Sequence, residues 1–560
     1  MDSELPLPAV EPLPATAESR QARIVRSAGV VSGAVFLSRI TGLLRDIVFA
    51  RFFGAGLVYD AFLAAFRIPN LLRDLLAEGA LSAAFVTTFS QYIATKGERE
   101  AFRLSNLVAT ILAPAIALLC VLGIIFAPQV IDVMFPGFGE VPGKRELTIT
   151  LTRVMMPFLL FIALAAKAMG VLNARGVFGI PALASAFFNL GSLATGLAAG
   201  YILGPRLGFR PIVGMAIGTL IGGVLQYTVQ WPSLRRAGLR YRPELSFADP
   251  GVRQIFRLMG PAVIGTAAVQ INVVVNSKFA SQILDASGQV ANGPVSWLGY
   301  AFRFMQLPIG LFGVAIASAT LPAIARSAAE KNIPEFRSTL SDSLGLVFLL
   351  CFPSAVGLAL LAEPMIGVIF QRGQFTAADT HQTATALTGY ALGLTGYAAI
   401  KVLTPAFYAL GEVRVPMAAS LGSIATNYAL NLAFIRILGW GHAGLAFSTS
   451  LVATINFVVL MVFLRQKIRR LEGRRLLRSF LRILAASTVM GLVCGVSTYT
   501  IRNSLGETPW PRVADLAVTI PLGLAVLYAS CRLLQVEELN TAMSALLGRA
   551  HAVIKSRHAP

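Results

Sequence analysis

Long apolar runs, separated by short polar segments, follow one another along almost the whole chain. Each run is too long for a single strand and reaches the roughly 20 residues that a helix needs to cross a bilayer. Fourteen such runs lie at residues 27–50, 59–92, 104–131, 148–174, 177–203, 209–231, 253–284, 294–322, 339–370, 380–410, 414–437, 442–465, 480–501 and 512–533. The pattern predicts an all-α polytopic membrane protein with about 14 transmembrane helices.

Basic residues accumulate on every second connection between these runs. The chain has 47 Lys and Arg against 27 Asp and Glu, which gives a net charge of +20. Lys and Arg mark the cytoplasmic loops of membrane proteins, so the alternation predicts that both termini are cytoplasmic and that the loop around Lys144 is external. The densest basic run, Arg465 to Arg482, lies between two spans and would contact anionic membrane lipids. Nucleic acid is therefore not expected as a partner.

The chain contains an internal repeat at an offset of roughly 235 residues. At this offset Ala65-Phe66-Arg67 meets Ala301-Phe302-Arg303, and residues 176–181 meet residues 411–416. The matches keep their order across spans 2 to 6 and 8 to 12. They predict two six-helix lobes, related by an axis along the membrane normal, followed by two C-terminal helices, with a binding site expected between the lobes.

The repeat also predicts the domain boundaries. We expect a disordered cytoplasmic tail at 1–26, a first lobe at 27–240, a second lobe at 241–465, a final helix pair at 466–534 and a cytoplasmic tail at 535–560. Pro69 and Pro308 interrupt spans 2 and 8 at corresponding depth. A proline inside a helix removes a backbone hydrogen bond, so both helices are expected to bend there.

Nine cations lie within or at the edge of the apolar runs, where a charge is costly unless it faces a partner or a water-filled cavity. They are Arg39, Arg45, Arg67, Arg73, Arg153, Lys167, Lys278, Arg303 and Lys401. Some could reach the interface or form buried ion pairs, because Asp46, Asp60, Asp74 and Glu78 also lie inside. The surplus of positive charge predicts an anionic ligand, and arginine is suited to phosphate because its planar fork binds two oxygens at once.

Cysteine and histidine give no sign of a metal centre or a disulfide framework. Cys120, Cys351, Cys494 and Cys531 are scattered and form no CxxC motif, and the four histidines stand apart. A membrane enzyme would need positioned acids, a nucleophile or metal ligands, and the internal carboxylates form no recognisable pair. We therefore expect a transporter without a cofactor rather than an enzyme.

The motifs around the internal arginines closely resemble the MurJ (MviN) family of bacterial lipid II flippases in the MOP exporter superfamily. The resemblance rests on Ser38-Arg39-Ile40-Thr41-Gly42-Leu43-Leu44-Arg45-Asp46, Phe53-Gly54-Ala55-Gly56, Asp60-Ala61-Phe62, Phe66-Arg67-Ile68-Pro69-Asn70-Leu71-Leu72-Arg73, Ala77-Glu78-Gly79-Ala80-Leu81-Ser82-Ala83-Ala84-Phe85 and Phe302-Arg303-Phe304-Met305-Gln306-Leu307-Pro308-Ile309-Gly310. It covers spans 1 to 12 and, more weakly, the last two.

The resemblance implies a function in peptidoglycan synthesis and cell wall biogenesis. Such a protein moves undecaprenyl-diphosphate-linked disaccharide-pentapeptide (lipid II) from the inner to the outer leaflet of the bacterial inner membrane by alternating access. Spans 13 and 14 would form a groove for the polyprenyl tail, and cell-wall synthesis proteins are further expected partners. Two alternatives remain open: a flippase for another undecaprenyl-linked saccharide, and a related MOP-type exporter.

The resemblance also implies a set of site residues. The family's essential cavity arginines match Arg39, Arg45, Arg73 and Arg303, and its acidic position matches Asp60; Ser38 and Glu78 stand in the same motifs and complete the candidate substrate-binding set. Membrane potential or an ion gradient is the expected energy source. One branch of the family binds sodium through acidic residues of spans 7 and 11, where this chain has Gln270, Asn272, Asn427 and Asn431. Asn427 and Asn431 are therefore only weak candidates for a sodium site.

Overall fold

The computed structural model describes residues 17–469, 472–506 and 508–544. Within these ranges the secondary structure is helical, apart from an isolated antiparallel bridge between Leu284 and Val290. The all-α prediction is confirmed. Residues 1–16 and 545–560, which were predicted as parts of the tails, lie outside the described residues, and the first helix begins at Ala17, inside the predicted N-terminal tail.

The described part of the chain forms helices α1 to α22. Those of the first 240 residues are α1 (Ala17–Phe53), α2 (Leu57–Leu72), α3 (Ser82–Lys96), α4 (Glu98–Ile125), α5 (Ala127–Met134), α6 (Lys144–Met155), α7 (Phe158–Ala174), α8 (Gly179–Ala198), α9 (Gly204–Leu207), α10 (Pro211–Thr228) and α11 (Trp231–Arg236). The others are α12 (Pro250–Ser281), α13 (Pro294–Pro308), α14 (Val314–Ala329), α15 (Ile333–Leu360), α16 (Ala362–Phe370), α17 (Ala377–Ala391), α18 (Leu394–Ala409), α19 (Arg414–Asn431), α20 (Gly441–Lys467), α21 (Gly473–Leu505) and α22 (Pro509–Leu533).

Among the described residues, nine helices are long and apolar enough to cross a membrane, or up to eleven if each of two bent helix pairs forms one span. One such pair is α17 and α18, which meet at 42°. The chain is thus a multi-pass membrane protein, and the predicted total of 14 spans stays a prediction. Helix α19, which occupies one of the predicted runs, is rich in Asn, Ser and Thr and is less apolar than its neighbours.

Packing divides the chain into two compact units. The first contains the described residues up to Arg45, together with Ala80–Ala117 and Pro157–Leu258. Its helices α8 and α10 approach closely: a Cβ added at Gly218 would lie 2.4 Å from the Cα of Gly196. Small residues permit such backbone contact inside a membrane.

The second unit contains Asp46–Gly79, Leu118–Met156 and the chain from Met259 onward. Part of its core joins α2, α5 and α6 through buried apolar residues, namely Ala64, Ile68, Ala127, Ile131, Met134, Phe135, Phe138, Ile149 and Met156. Two segments that the repeat assigns to the first lobe therefore pack with the second unit. The predicted lobe boundaries describe the repeat rather than this packing, and they stay a prediction.

In the described part of the chain, four π-helical segments interrupt the α-helices at spacings that follow the internal repeat. Arg73–Leu81 and Ile309–Gly313 are roughly 235 residues apart, and so are Ala199–Leu203 and Leu432–Ile437. The first pair begins within a turn of Pro69 and Pro308, where the sequence predicts disturbed helices. Short π segments inside α-helices are frequent at functional sites. The prolines thus coincide with a change of helix type at equivalent positions of the repeat.

Candidate functional site

Arg303 lies on α13 of the second unit and pairs with a buried aspartate from the end of α1. Its Nε is 3.1 Å from Asp46 Oδ2. The Asp46 side chain is only 5% exposed, whereas that of Arg303 is 46% exposed. The Nε edge of the guanidinium is therefore bound to protein, while the side chain remains accessible. A cationic ligand-binding group requires such an arrangement.

Arg67 is a further arginine of this site that the sequence analysis counted but did not select. It lies on α2, is exposed, and is within electrostatic range of Arg303, Tyr390 and Asp74. Within the described part of the chain its side chain makes no hydrogen bond or ion pair. The internal repeat could have identified Arg67 as a site residue, because Arg67 is the counterpart of Arg303 in the aligned Ala-Phe-Arg triplets.

Arg73 begins the π segment that follows α2. Its Nε and Nη2 donate to Oδ1 of Asp74 at 3.1 and 2.8 Å. The two side chains are 25% and 42% exposed. Among the described side chains, this part of the second unit has three arginines, Arg67, Arg73 and Arg303, and two carboxylates, Asp46 and Asp74. A surplus of positive charge inside a membrane protein attracts an anion.

The other predicted site residues of span 1 belong to the first unit. Arg39 is exposed, and the Arg45 guanidinium carbon lies 5.7 Å from the centre of the Phe188 ring. The Ser38 carbonyl accepts a 3.1 Å hydrogen bond from Asn189 Nδ2. These positions are compatible with a binding role, which stays a prediction. Glu78 lies in the π segment Arg73–Leu81, and its side chain is outside the described residues.

Asp60 occupies a different environment from the arginines. It is fully buried and accepts hydrogen bonds from Lys144 Nζ at 2.9 Å and from the Gly293 amide at 2.8 Å. The amide and the hydroxyl of Ser296 donate to its other oxygen at 2.8 and 2.6 Å. Four donors fill the carboxylate, and they join α2, the start of α6 and the start of α13. This arrangement favours a structural role over the predicted contact with substrate.

Lys144 was expected in an external loop, but its side chain is fully buried. Besides Asp60, its ammonium donates to Asn292 Oδ1 at 3.0 Å and lies 4.3 Å from the centre of the Phe138 ring. The charge of Lys144 balances the buried Asp60, and the external position of the loop stays a prediction. The two residues are 84 positions apart, and no local pattern of the sequence links them.

The candidate sodium positions form a neutral amide network between α12, α19 and α20. Asn427 and Asn431 both donate to Asn276 Oδ1 at 2.9 Å, and Asn276 Nδ2 donates to Thr449 at 3.3 Å. The Ser448 hydroxyl donates to Asn431. No cluster of three or more His, Cys, Asp or Glu side chains suited to a metal occurs among the described residues. The Asn276 oxygen is already engaged by two donors, whereas the Asn427 Oδ1 is buried and accepts no hydrogen bond. A sodium site at Asn427 and Asn431 stays a prediction.

A large apolar cavity of about 970 Å³ lies against the long helix α21. Its lining comes from α15, α18, α20 and α21 and the short stretch before α18, with Phe348, Phe352, Phe457 and Phe480 among its residues. Arg465 also lines it, near the connection between α20 and α21. An apolar cavity with a cation in its lining is suited to a lipid chain that carries an anionic group.

Comparison with known proteins gives one consistent result. The family model described as "Lipid II flippase MurJ" matches residues 49–510. A protein of Burkholderia cenocepacia named "Lipid II flippase MurJ" is 34% identical over 510 residues, covering 90% of this chain and 96% of its own length. The family resemblance read from the motifs is confirmed.

Solved structures agree with the sequence comparison. A structure described as "Lipid II flippase MurJ, inward closed conformation" is similar with a TM-score of 0.72 at 27% identity, covering 90% of this chain and 98% of that one. An inward-facing multidrug resistance MATE family transporter of the MOP superfamily has a TM-score of 0.60 at 18% identity, covering 79% of this chain and 95% of that one. The second similarity shows a shared fold.

Proposed function

Because the chain belongs to the lipid II flippase MurJ family, we propose that it moves lipid II from the inner to the outer leaflet of the bacterial inner membrane. It is a transporter and not an enzyme, so no covalent bond of the substrate changes. The substrate carries a diphosphate, a disaccharide-pentapeptide and a polyprenyl tail. Each of these parts requires a different environment from the protein.

The observation that carries the proposal is the group of accessible arginines in the second unit. Arg67, Arg73 and Arg303 present guanidinium forks that bind phosphate oxygens bidentately and keep their charge away from water. Arg67 and Arg303 are within electrostatic range of each other, so their mutual repulsion is relieved when an anion binds between them. Arg39 and Arg45 of the first unit remain predicted contacts.

The apolar cavity against α21 supports a site for the polyprenyl tail. Its aromatic and aliphatic lining offers the tail an environment similar to the lipid it leaves, and Arg465 lies where it could meet a phosphate. The tail can remain in this apolar environment while the polar head group is moved by alternating access. Asp60 and Lys144 contribute by fixing α2, α6 and α13 relative to one another within the second unit.

The location, energy source and protein partners follow as parts of the same proposal. We expect both termini on the cytoplasmic side, because the basic residues accumulate on the loops that share that side. Transport is driven by the membrane potential or by an ion gradient. Proteins of cell-wall synthesis are the expected partners, because they supply and consume lipid II.

Arg67→Gln tests the proposal most directly, because Arg67 supports no described ion pair and its loss should leave the fold intact. We expect weaker binding of undecaprenyl diphosphate by about tenfold or more, the loss of one charge-assisted hydrogen bond of about 1.5–3 kcal/mol. Arg303→Lys keeps a charge beside Asp46 but loses the fork, and it should weaken binding less. Lipid II transfer into the outer leaflet of proteoliposomes should fall in the same order.

Arg326→Gln is the matched control. Arg326 pairs with Glu335 on the protein surface and is 65% exposed, so its removal should change neither binding nor transfer. Folded, monodisperse Arg67→Gln protein that binds and transfers the lipid like the wild type would contradict the proposed site.

A further inference from the structure

Arg73 and Asp74 form an ion pair between consecutive residues, which regular helix geometry does not favour. Side chains one position apart point in different directions around an α-helix. Here both residues belong to the π segment Arg73–Leu81, and Asp74 Oδ1 accepts from Nε at 3.1 Å and from Nη2 at 2.8 Å. Both partners of the pair thus belong to one short segment of the chain.

The carboxylate of Asp74 covers the edge of Arg73 that a phosphate would use. Bidentate binding of an oxyanion engages two neighbouring N–H groups of the guanidinium, and Nε with Nη2 is such an edge. Asp74 also lies within electrostatic range of Arg67. A diphosphate that binds at these arginines must therefore take the place of the Asp74 carboxylate.

Exposure indicates that this exchange is easy. The Asp74 side chain is 42% exposed, and exposed ion pairs change an equilibrium by no more than about fivefold. Asp46, which pairs with Arg303, is 5% exposed, so its carboxylate cannot exchange its protein contacts for water as readily. Asp46 and Asp74 therefore differ: a competing anion displaces Asp74 from its arginine more easily than Asp46.

We propose that Asp74 is an internal competitor of the substrate diphosphate for Arg73, which neutralises Arg73 in the empty site and promotes release of the head group. The inference rests on the proposed function of the same arginines. It predicts that Asp74 lowers the affinity of the arginines for diphosphate and that transport depends on this lower affinity. Removal of the carboxylate should therefore tighten binding and slow turnover at saturating substrate.

The test is a double-mutant cycle on the full-length protein with undecaprenyl diphosphate as the probe. Asp74→Asn should bind the probe about three- to fivefold more tightly than the wild type. In the Arg73→Gln background the same substitution should give little gain, because the arginine over which the two anions compete is gone. Inorganic pyrophosphate serves as a second probe and shows whether the effect belongs to the phosphates alone.

Asp132→Asn is the matched control for this cycle. Asp132 pairs with Arg145 at 2.7 Å, with side-chain exposures of 52% and 32% that resemble those of Asp74 and Arg73. Its removal should leave the affinity unchanged. Asp74→Glu keeps the charge and provides a second variant should Asp74→Asn fold poorly; it should retain the wild-type affinity.

The outcomes separate this inference from the proposed function. An unchanged affinity in Asp74→Asn, or an equal gain in both backgrounds, overturns the competition, because an equal gain would report only the loss of a distant negative charge. If Arg73→Gln alone leaves the affinity for undecaprenyl diphosphate unchanged, the arginine site itself fails. In the lipid transfer assay, a higher turnover of Asp74→Asn at saturating lipid would also contradict a role in release.

Discussion

Asp60 and Lys144 form a buried pair, and removal of either partner should cause a large loss of stability. The loss should be larger for Asp60 than for Lys144. Both side chains are fully buried, and breaking a buried ion pair from one side costs roughly 3–5 kcal/mol. Lys144→Met leaves the carboxylate with three donors, so the cost should lie near the lower limit. Asp60→Ala also leaves the amides of Gly293 and Ser296 unpaired and should cost near the upper limit.

The free energy of unfolding can be measured in mixed detergent micelles of increasing SDS content. Arg145→Met is the internal control, because Arg145 follows Lys144 directly but pairs with the exposed Asp132, a contact expected to contribute at most about 1 kcal/mol. The double variant Asp60→Ala with Lys144→Met should lose less than the sum of the two single losses. A Lys144→Met protein as stable as Arg145→Met would refute the reasoning.

Two further predictions concern ions and topology. The stability of the protein should be the same in NaCl and KCl at equal ionic strength, because Asn276 is already bonded within the amide network; a gain specific to sodium would contradict this. A cysteine at the exposed Glu140 should react with a membrane-impermeant reagent from outside the inner membrane, whereas a cysteine at the exposed Lys331 should not. The four native cysteines are buried and should not react. The opposite labelling result would invert the proposed topology.

The all-helical class, the membrane location and the arginine-rich interior could be predicted from the sequence because each depends on local composition. Helix formation and the length of an apolar span depend on consecutive residues. Because a charge in a membrane is costly, every internal arginine indicates a partner or a water-filled cavity. The repeat added more, since it pairs Arg67 with Arg303. The selection of residues by motif nevertheless passed over Arg67.

Contacts between distant segments could not be predicted in the same way. The sequence analysis assigned Asp60 to substrate binding and Lys144 only to an external loop, because no sequence pattern shows that residues 84 positions apart share one hydrogen-bond network. The ion pair of Arg303 with Asp46 also joins residues far apart in the sequence. The distinction between an arginine that stays accessible and an acid whose hydrogen bonds are filled by protein donors required the fold.

The paired π segments have a consequence for the history of the chain. A π turn accommodates one residue more than an α turn, so each segment is equivalent to a one-residue insertion, which rotates the following helix by about 100°. Arg73–Leu81 and Ile309–Gly313 hold such insertions at matching places, as do Ala199–Leu203 and Leu432–Ile437. Independent insertions would not be expected to coincide twice. A duplication that produced the repeat would therefore have copied insertions that were already present in a half-length ancestor.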